Sequence, residues 1–366
     1  MKISAVKVSK LDVEMHQAIK TPIGEISAAR NVVVRIETSC GLVGWGETSP
    51  MAAITYDSQA STYAMGVEMA PLLLGQSPVA VESCLALLRR YCSRSSVLCA
   101  FDMALYDLAA QAAGLPLYAY LGGSARSLRT DHTIGNQESV EATVAMALDL
   151  VDAGFDTIKL KTGRPGTLDL EHLSAVRAAV GPDIALRIDC NQGWDYPQAL
   201  RMLPALAELG VEYLEQPFPV WDVDSFARLR ARGVLPLCAD ESVFNHHDAW
   251  RLLRADAVDY LNIKLVKSGG LNTALKINSV AEAAGVRCMI GCFGESRLGL
   301  TAAAHLAMAR PTIHFIDLDS ALHFREDPVV GGLSYGDGGH ISVGGAIGLG
   351  AELELSALSD VFEVTL

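Results

Sequence analysis

Long apolar runs, basic clusters and closely paired cysteines are all missing from this 366-residue sequence, and each absence excludes a class of protein. No segment reaches about 18 consecutive apolar residues, and the segment after Met1 lacks the apolar run and cleavage site of a signal peptide. The net charge is −13, and no run of Lys or Arg forms a basic stripe. We therefore expect no membrane span, no export signal and no nucleic-acid partner.

The eight cysteines include no CxxC pair and lie mostly within apolar stretches. This usage is typical of small buried side chains that stay reduced, and it predicts neither disulfide bonds nor a zinc site. Together with the missing export signal, it predicts a cytoplasmic protein. The histidine pair His246 and His247 lies early in a predicted helix and is expected to be solvated.

The length of the chain exceeds the usual single core of about 100–150 residues, so two domains are expected. Residues 3–13 and 31–36 are β-rich, whereas residues 16–30 contain Pro and Gly without a sustained period and are interpreted as a loop. Helical periodicity dominates residues 58–121. These patterns predict an α+β capping domain over residues 1–125, with residues 340–366 packing back on it.

Residues 126–339 show eight short β-rich runs, and amphipathic helices are predicted between them. The runs end at residues 135, 161, 189, 215, 240, 264, 291 and 317, so successive ends are 24–28 residues apart. This regularity is the period of a βα unit, and no glycine-rich dinucleotide turn follows the first run. The pattern predicts a TIM-like (β/α)7β barrel, in which the eighth strand is not followed by a full helix.

Carboxylates stand at the ends of three consecutive predicted strands. Asp189 ends strand three, Glu215 ends strand four and Asp240 ends strand five. Barrel enzymes carry their catalytic groups at this end, and three converging carboxylates repel one another unless a cation lies among them. Hard oxygen ligands select Mg²⁺ or Mn²⁺. We therefore predict one Mg²⁺ held by these three residues, with Asn191 either a further polar contact or a turn residue.

Lysines stand at the ends of strands two and six. Residues two apart in a strand share a side, so Lys159 and Lys161 are expected to share a space, where neighbouring positive charge lowers the pKa of one of them. Lys264 leaves the strand across the barrel mouth. Two bases on opposite faces of one carbon can remove a proton from one side and return it to the other. This arrangement predicts proton abstraction next to a carboxylate, with Mg²⁺ offsetting the negative charge that develops.

Six motifs resemble the muconate-lactonizing-enzyme subgroup of the enolase superfamily. They are KLK (159–161), RIDCNQGW (187–194), EQPF (215–218), ADES (239–242), NIKLVKSGG (262–270) and GCFGES (291–296). The resemblance extends over essentially the whole chain and implies a capped barrel with a magnesium site. IDLDS, with Asp317 and Asp319, is similar to the Asp-x-Asp pair with which dipeptide epimerases of this subgroup hold the substrate's α-ammonium group. Two carboxylates two apart on an extended segment point the same way, which suits a cation.

The resemblance also marks one departure. Alanyl-glutamate epimerases carry an arginine in the first-domain loop that meets the substrate's side-chain carboxylate, and alignment on KT (20–21) places Gly24 there. The capping-domain loops, at about 16–30 and 50–57, are expected to cover the barrel mouth and set specificity. Glu295, after strand seven, is expected to have a hydrogen-bonding or pocket role.

The resulting prediction is a Mg²⁺-dependent dipeptide epimerase, which acts on a small molecule and inverts the α-carbon of the C-terminal residue. Lys161 and Lys264 exchange the α-proton, and Asp317 and Asp319 bind the amino group. The alternatives on the same core are a racemase of N-acyl or cyclic amino acids, and a cycloisomerase or dehydratase of the muconate or o-succinylbenzoate type. A binding protein built on an inactive barrel would have lost the metal and lysine positions. A homo-oligomer is expected, as for many barrel enzymes.

Overall fold

The computed structural model describes all 366 residues and contains 17 strands and 13 α-helices. The strands are β1 Ile3–Thr21, β2 Gly24–Thr38, β3 Val43–Thr48, β4 Leu128–Arg129, β5 His132–Ile134, β6 Thr157–Lys161, β7 Ala185–Asp189, β8 Val211–Glu215, β9 Leu237–Ala239, β10 Tyr260–Ile263, β11 Arg287–Ile290, β12 Ile313–Ile316, β13 Val329–Gly331, β14 Leu333–Tyr335, β15 His340–Val343, β16 Ala351–Leu353 and β17 Leu358–Thr365. The helices are α1 Ala52–Thr55, α2 Gln59–Met69, α3 Val81–Tyr91, α4 Ser95–Ala113, α5 Leu117–Tyr120, α6 Val140–Asp152, α7 Leu168–Val180, α8 Tyr196–Glu208, α9 Val223–Arg230, α10 His246–Arg254, α11 Leu265–Ser268, α12 Leu271–Ala283 and α13 Arg297–Ala309. None of the helices combines the length and the apolar composition that crossing a membrane requires.

The first sheet is antiparallel, with the strand order β17-β1-β2-β3, and α4 packs against it. Two glycines of β3 permit this close packing. A Cβ atom at Gly46 would lie 1.9 Å from the backbone oxygen of Ala100, and one at Gly44 would lie 2.4 Å from that of Ala104. Almost every residue of α4 is buried, which explains why this helix is apolar on all sides.

Residues 16–30 do not form the predicted loop. β1 continues to Thr21, β2 begins at Gly24, and the two strands pair antiparallel with an irregularity between Glu14 and Ile19. Only Pro22 and Ile23 remain as the turn of a long hairpin. The prediction was wrong because the ribbon pairs with itself beyond the sheet, so its backbone is satisfied without a buried face or an alternating apolar pattern.

The second sheet is the predicted barrel. Its eight strands run in the order β12-β11-β10-β9-β8-β7-β6-β5, and every neighbouring pair is parallel. The two ends of this curled sheet meet where the N–H of Asp131, just before β5, donates to the carbonyl of Ile316 in β12 at 3.3 Å. Strand β12 is followed only by a 3-10 turn, Ser320–His323. The predicted fold class and all eight barrel strands are therefore confirmed.

The segment after the barrel divides between two positions. β14 and β15 form a small sheet with β4, and β13 pairs with β16, whereas β17 pairs antiparallel with β1 of the first sheet. The contact of residues 358–365 with the first sheet is thus direct, while residues 340–343 pair next to the barrel. The domain limits given above stay a prediction.

Buried carboxylates of the first domain cap helices of the barrel. Glu47 of β3 accepts hydrogen bonds from the backbone N–H groups of Ser296 and Gly299, at the start of α13. Asp102 of α4 accepts from the N–H of Leu271, at the start of α12, at 2.5 Å, and burial raises the pKa of Asp102 to about 7. Because free N–H groups at a helix start favour negative charge, these contacts fix the capping domain over the barrel.

Candidate active site

Three carboxylates meet at the carboxyl end of the barrel strands. Asp189 and Glu215 are the last residues of β7 and β8 and lie side by side in the register, and Asp240 follows β9. All three have an exposed fraction of 0%, and one oxygen of each lies within 4.8 Å of the others. Glu215 Oε2 and Asp240 Oδ2 face lysine ammonium groups but accept no hydrogen bond of good geometry. A buried ring of hard oxygens with unsatisfied atoms has the composition of a Mg²⁺ site.

Two lysines border this ring and also line one cavity. Lys161 Nζ lies 2.7 Å from Asp189 Oδ2, and Lys264 Nζ lies 2.9 Å from Asp240 Oδ2. Lys264 also lies over the ring of Phe293, 4.5 Å from its centroid. Burial lowers the pKa of Lys264, but the charges of Asp240, Glu215 and Asp317 together outweigh this, and the net shift is upward. The two ammonium groups thus reach the cavity from β6 and from the end of β10.

Lys159 occupies a different environment from Lys161. Its side chain is 1% exposed and makes ion pairs with Glu215 and Asp317, both at 2.8 Å, and with Asp189 at 3.4 Å. Burial opposes its charge, but the three carboxylates hold the pKa of Lys159 well above its usual range. The lowered pKa predicted for one of the two lysines does not apply to Lys159, because carboxylates rather than ammonium groups dominate its surroundings. It does not line the cavity that Lys161 and Lys264 share.

A fourth lysine, which was not predicted as a site residue, supports the carboxylate ring of Asp189, Glu215 and Asp240. Lys267 in α11 is fully buried, and its ammonium group donates to Asp240 O and Oδ1, both at 2.5 Å, and to Asn262 O at 3.0 Å. Asn262 Nδ2 in turn donates to Glu215 Oε1 at 2.8 Å. Asn262 could have been found, since it lies on β10, two residues before Lys264, which directly follows that strand. Lys267 could not be found in this way. It lies in the short helix α11, after the strand has ended, and strand alternation says nothing about the direction of its side chain.

Asn191 lies beside the ring. Its backbone adopts a positive φ of 39°, its N–H donates to Asp189 Oδ1 at 2.9 Å, and its amide contacts Glu241 Oε1 at 3.3 Å. Burial, followed by the charge of Asp240, raises the pKa of Glu241 to about 8. Asn191 Oδ1 is buried without a partner, and the residue lines the same cavity as the two lysines. Both roles considered above, the turn and the polar contact, are therefore present at this position.

The two aspartates after β12 face the cavity from the side of β5 and β6. Asp317 is ion-paired with Lys159, and Asp319 Oδ2 accepts from the backbone N–H of Thr133 at 2.7 Å and lies 3.4 Å from His323 Nε2. Both are buried and line the cavity. The two lysines and the two aspartates therefore line the same cavity.

The largest group in the remaining wall of the cavity is apolar and consists of Ile19, Ile23, Ile26, Met51, Ile54 and Phe293. Thr21, Thr133, Cys292, Ser320 and His323 also line the cavity. Four of the apolar residues come from the hairpin β1–β2 and its turn or from α1, so the capping domain closes the mouth with aliphatic side chains. No arginine lines this cavity.

Two of the candidate residues lie outside this cavity. Gly24 follows the hairpin turn with a φ of 142°, and it lines a neighbouring groove behind Phe293. Glu295 is buried, and its side chain accepts from the backbone N–H of Phe293 at 2.6 Å. Burial raises the pKa of Glu295 to about 7. Glu295 thus supports the loop after β11 through Phe293 rather than lining the pocket.

The fold and site together define a capped α/β barrel with a ring of carboxylates and lysines at its mouth. Residues 142–357 match the "Enolase C-terminal domain-like" family, and residues 3–122 match the "Mandelate racemase / muconate lactonizing enzyme, N-terminal domain" family. The chain belongs to the mandelate racemase/muconate lactonizing enzyme family of the enolase superfamily, as its motifs predicted.

Dipeptide epimerases are among the relatives of this chain. It is 39% identical to a D-Ala-D/L-Ala epimerase of Cytophaga hutchinsonii over 100% of this chain and 99% of the relative. It is 38% identical to a hydrophobic dipeptide epimerase of Enterococcus faecalis over 96% of this chain and 99% of the relative. A solved dipeptide epimerase from Cytophaga hutchinsonii, complexed with Mg and D-Ala-L-Val, superimposes with a TM-score of 0.97 at 38% identity, covering 100% of both chains.

Proposed function

We propose that this protein is a Mg²⁺-dependent dipeptide epimerase that inverts the α-carbon of the C-terminal residue and prefers an apolar side chain there. One observation carries the proposal: a single cavity is lined by two lysines, by two aspartates suited to an ammonium group, and by aliphatic side chains. The full-length similarity to epimerases supports it.

Asp189, Glu215 and Asp240 would hold the metal ion. Their buried oxygens fit a hard divalent cation, and Asn262 and Lys267 fix the orientation of two of these carboxylates. When bound, Mg²⁺ stabilises negative charge that develops on a substrate carboxylate.

The lysines supply the proton chemistry. Removal of the α-proton by one lysine leaves a planar carbon whose negative charge is shared with the substrate carboxylate as an enediolate. Return of a proton by the lysine on the opposite face inverts the centre. Lys161 and Lys264 fill these roles because both reach the cavity from different strands of the barrel. Lys159, buried among three carboxylates, contributes fixed positive charge rather than a proton.

Asp317 and Asp319 distinguish a dipeptide from other substrates of the same chemistry. A free α-ammonium group can form charge-assisted hydrogen bonds with these carboxylates, whereas an N-acyl amino acid would leave them buried against a neutral group. The same argument disfavours muconate and o-succinylbenzoate, which carry no ammonium group. We therefore favour the epimerase over the alternatives, which are an N-acyl or cyclic amino-acid racemase, a cycloisomerase and a dehydratase.

The preference for an apolar side chain follows from the capping domain. Ile19, Ile26 and Met51 face the cavity, and no cationic group of the capping domain accompanies them. A glutamate side chain placed against this wall would lose its hydration without gaining a cationic partner. Aliphatic and aromatic side chains bury apolar area there instead.

The decisive experiment is proton exchange in D₂O. The purified protein with Mg²⁺ is incubated with a library of L,L-dipeptides and, in parallel, with N-acyl amino acids, and deuterium incorporation is read by mass spectrometry. We expect incorporation into dipeptides with apolar C-terminal residues. Incorporation only into N-acyl compounds would overturn the substrate assignment, and incorporation chiefly into Glu or Asp dipeptides would overturn the side-chain preference.

We further propose a cytoplasmic location and a homo-oligomeric state. All eight cysteines are unpaired, which is consistent with a reducing compartment. Sedimentation of the purified protein would determine the assembly directly.

A further inference from the structure

We propose that His132, Asp319 and His323 form a second metal site, one that takes Zn²⁺ or a similar cation and lies beside the cavity. One ligand atom of each residue lies within 4.8 Å of the other two. The cysteine pattern predicted no zinc site, and this site uses imidazoles instead of thiolates.

The spacing of the ligand atoms is close to that of a bound ion. His323 Nε2 lies 3.4 Å from Asp319 Oδ2, and two ligands at tetrahedral zinc are about 3.3 Å apart when each bond is about 2.0–2.1 Å. The rings of His132 and His323 meet edge to face, with centroids 4.6 Å apart. One ring nitrogen of His132 lies within 4.8 Å of a ligand atom of each of the other two residues.

The residues that hold these ligands come from both sides of the barrel seam. His132 begins β5, whereas Asp319 and His323 belong to the turn that follows β12. The backbone N–H of Thr133 donates to Asp319 Oδ2 at 2.7 Å and so orients the carboxylate, as hydrogen bonds behind a metal ligand commonly do. Asp319 and His323 line the cavity, which leaves a fourth coordination position open toward it.

The donor atoms separate this site from the carboxylate ring. Two imidazole nitrogens and one carboxylate suit Zn²⁺, whereas the three carboxylates of Asp189, Glu215 and Asp240 suit Mg²⁺. The two ions would therefore divide between the two sites according to ligand type. His246 and His247 are neighbours on the surface at the start of α10, and they serve as a control for adventitious histidine binding.

Occupation of the second site would regulate the enzyme. A cation on Asp319 takes the place that a dipeptide's ammonium group would occupy, so zinc acts as a competitive inhibitor that raises KM and leaves kcat unchanged. This consequence rests on the proposed function, whereas the binding of the metal does not.

The binding test uses Co²⁺ as a spectroscopic substitute for Zn²⁺ in the full-length protein, with Mg²⁺ in large excess. Tetrahedral Co²⁺ absorbs visible light strongly, and octahedral Co²⁺ at a carboxylate ring absorbs weakly. We expect one equivalent of strongly absorbing Co²⁺ that Zn²⁺ displaces. His132→Gln and His323→Gln should each weaken its binding by tenfold or more, and His247→Gln should leave both the spectrum and the activity unchanged.

Several outcomes would overturn the site. They are a weak octahedral spectrum, loss of the signal in His247→Gln, or binding that survives both glutamine variants. Loss of the cobalt signal in Cys292→Ser, with the signal kept in the two glutamine variants, would also overturn the site. The Cys292 thiol lies 3.7 Å from Asp319 Oδ1 and could bind the ion without the histidines. If cobalt binds as expected but zinc does not compete with dipeptides, the metal site stands, and the ammonium-binding role of Asp319 in the proposed function fails.

Discussion

Lys161 and Lys264 reach the cavity from β6 and from the end of β10, and in the proposed mechanism this separation is the basis of inversion. Each lysine is ion-paired to a different carboxylate of the ring, Asp189 for Lys161 and Asp240 for Lys264. Loss of one should therefore leave the other in place.

Lys161→Ala and Lys264→Ala are each expected to reduce epimerisation by about 10³-fold or more, because a positioned acid or base contributes about 10²–10⁴-fold and inversion needs both. One variant should still exchange the α-proton of one enantiomer with D₂O. The measurement is chiral chromatography beside deuterium incorporation. Inversion at the wild-type rate in either variant would contradict the two-base assignment.

Lys267 does not line the cavity, yet we expect it to contribute to the stability of the folded protein. Lys267→Met leaves Asp240 without one buried partner, and we expect the free energy of unfolding to fall by roughly 3–5 kcal/mol. Added Mg²⁺ should recover part of this loss, since the ion compensates the same carboxylate. Urea unfolding with and without Mg²⁺ measures both effects.

The matched control for this variant is Lys276→Met. Its ammonium group pairs with Glu82 at 3.5 Å and its side chain is 43% exposed, so the expected loss is about 1 kcal/mol or less. Similar losses in the two variants, or no recovery of Lys267→Met by Mg²⁺, would show that Lys267 does not support the metal ring.

At the level of elements, the hairpin β1–β2 sets the shape of the cavity from outside the barrel. Its distal half leaves the sheet as a two-stranded ribbon, and Ile19, Ile23 and Ile26 lie at the cavity wall. In the proposed function the barrel residues carry out proton transfer, so changes in the ribbon should alter substrate choice rather than proton transfer.

Ile19→Ala removes part of this wall. We expect kcat/KM for dipeptides with a large aliphatic C-terminal residue to fall by about tenfold or more, while dipeptides ending in Ala change little, since a hydrophobic contact of this size is worth roughly 1–3 kcal/mol. Leu148→Ala, on the exposed face of α6, is the control. Equal losses for large and small side chains would place Ile19 outside the specificity wall.

The sequence predicted the barrel strands better than the hairpin ribbon, because only the barrel strands follow a regular spacing. The barrel strands recur at nearly constant intervals, and their last residues carry the charged groups, so Asp189, Glu215 and Lys264 could be placed on one edge. The ribbon has no such period, because its residues 16–18 and 24–28 are largely exposed on both faces. His132 and His323 lie far apart in sequence and meet only across the barrel seam, which no local pattern reports.

At the level of the whole molecule, one buried histidine ties the barrel to the C-terminal segment. His305 in α13 accepts from the N–H of Tyr118 through Nδ1 and contacts the carbonyl of Leu349 through Nε2, both at 3.1 Å. Burial lowers the pKa of His305 to about 4. The neutral ring satisfies both contacts, and a second proton would remove the acceptor that Tyr118 uses.

This pKa predicts a dependence of stability on pH. The unfolded chain binds a proton at about 6.5 and the folded chain at about 4, so His305 contributes stability above pH 6.5 that is lost as the pH falls from about 6.5 to 4. The full loss is roughly 3 kcal/mol. We expect this loss in the difference between the wild-type protein and His305→Gln, measured by urea unfolding at several pH values. A difference independent of pH would contradict it.

The comparison with His305→Gln removes opposing contributions. Asp102 and Asp107, whose pKa values burial raises to about 7 and about 6, favour folding at low pH and lose that effect as the pH rises. They are present in both proteins, so their contributions cancel in the difference.

The pairing of β17 with β1 has a consequence for how the protein is made. β1 is the central strand of its sheet, yet one of its two neighbours is residues 358–365, which the ribosome adds after all eight barrel strands. During translation, the barrel can assemble while one edge of β1 is still unpaired, because β17 has not yet been made. β1 therefore gains its second neighbour only after the barrel residues have been made, and a truncated chain ending near residue 355 would expose that edge of β1 to other nascent chains.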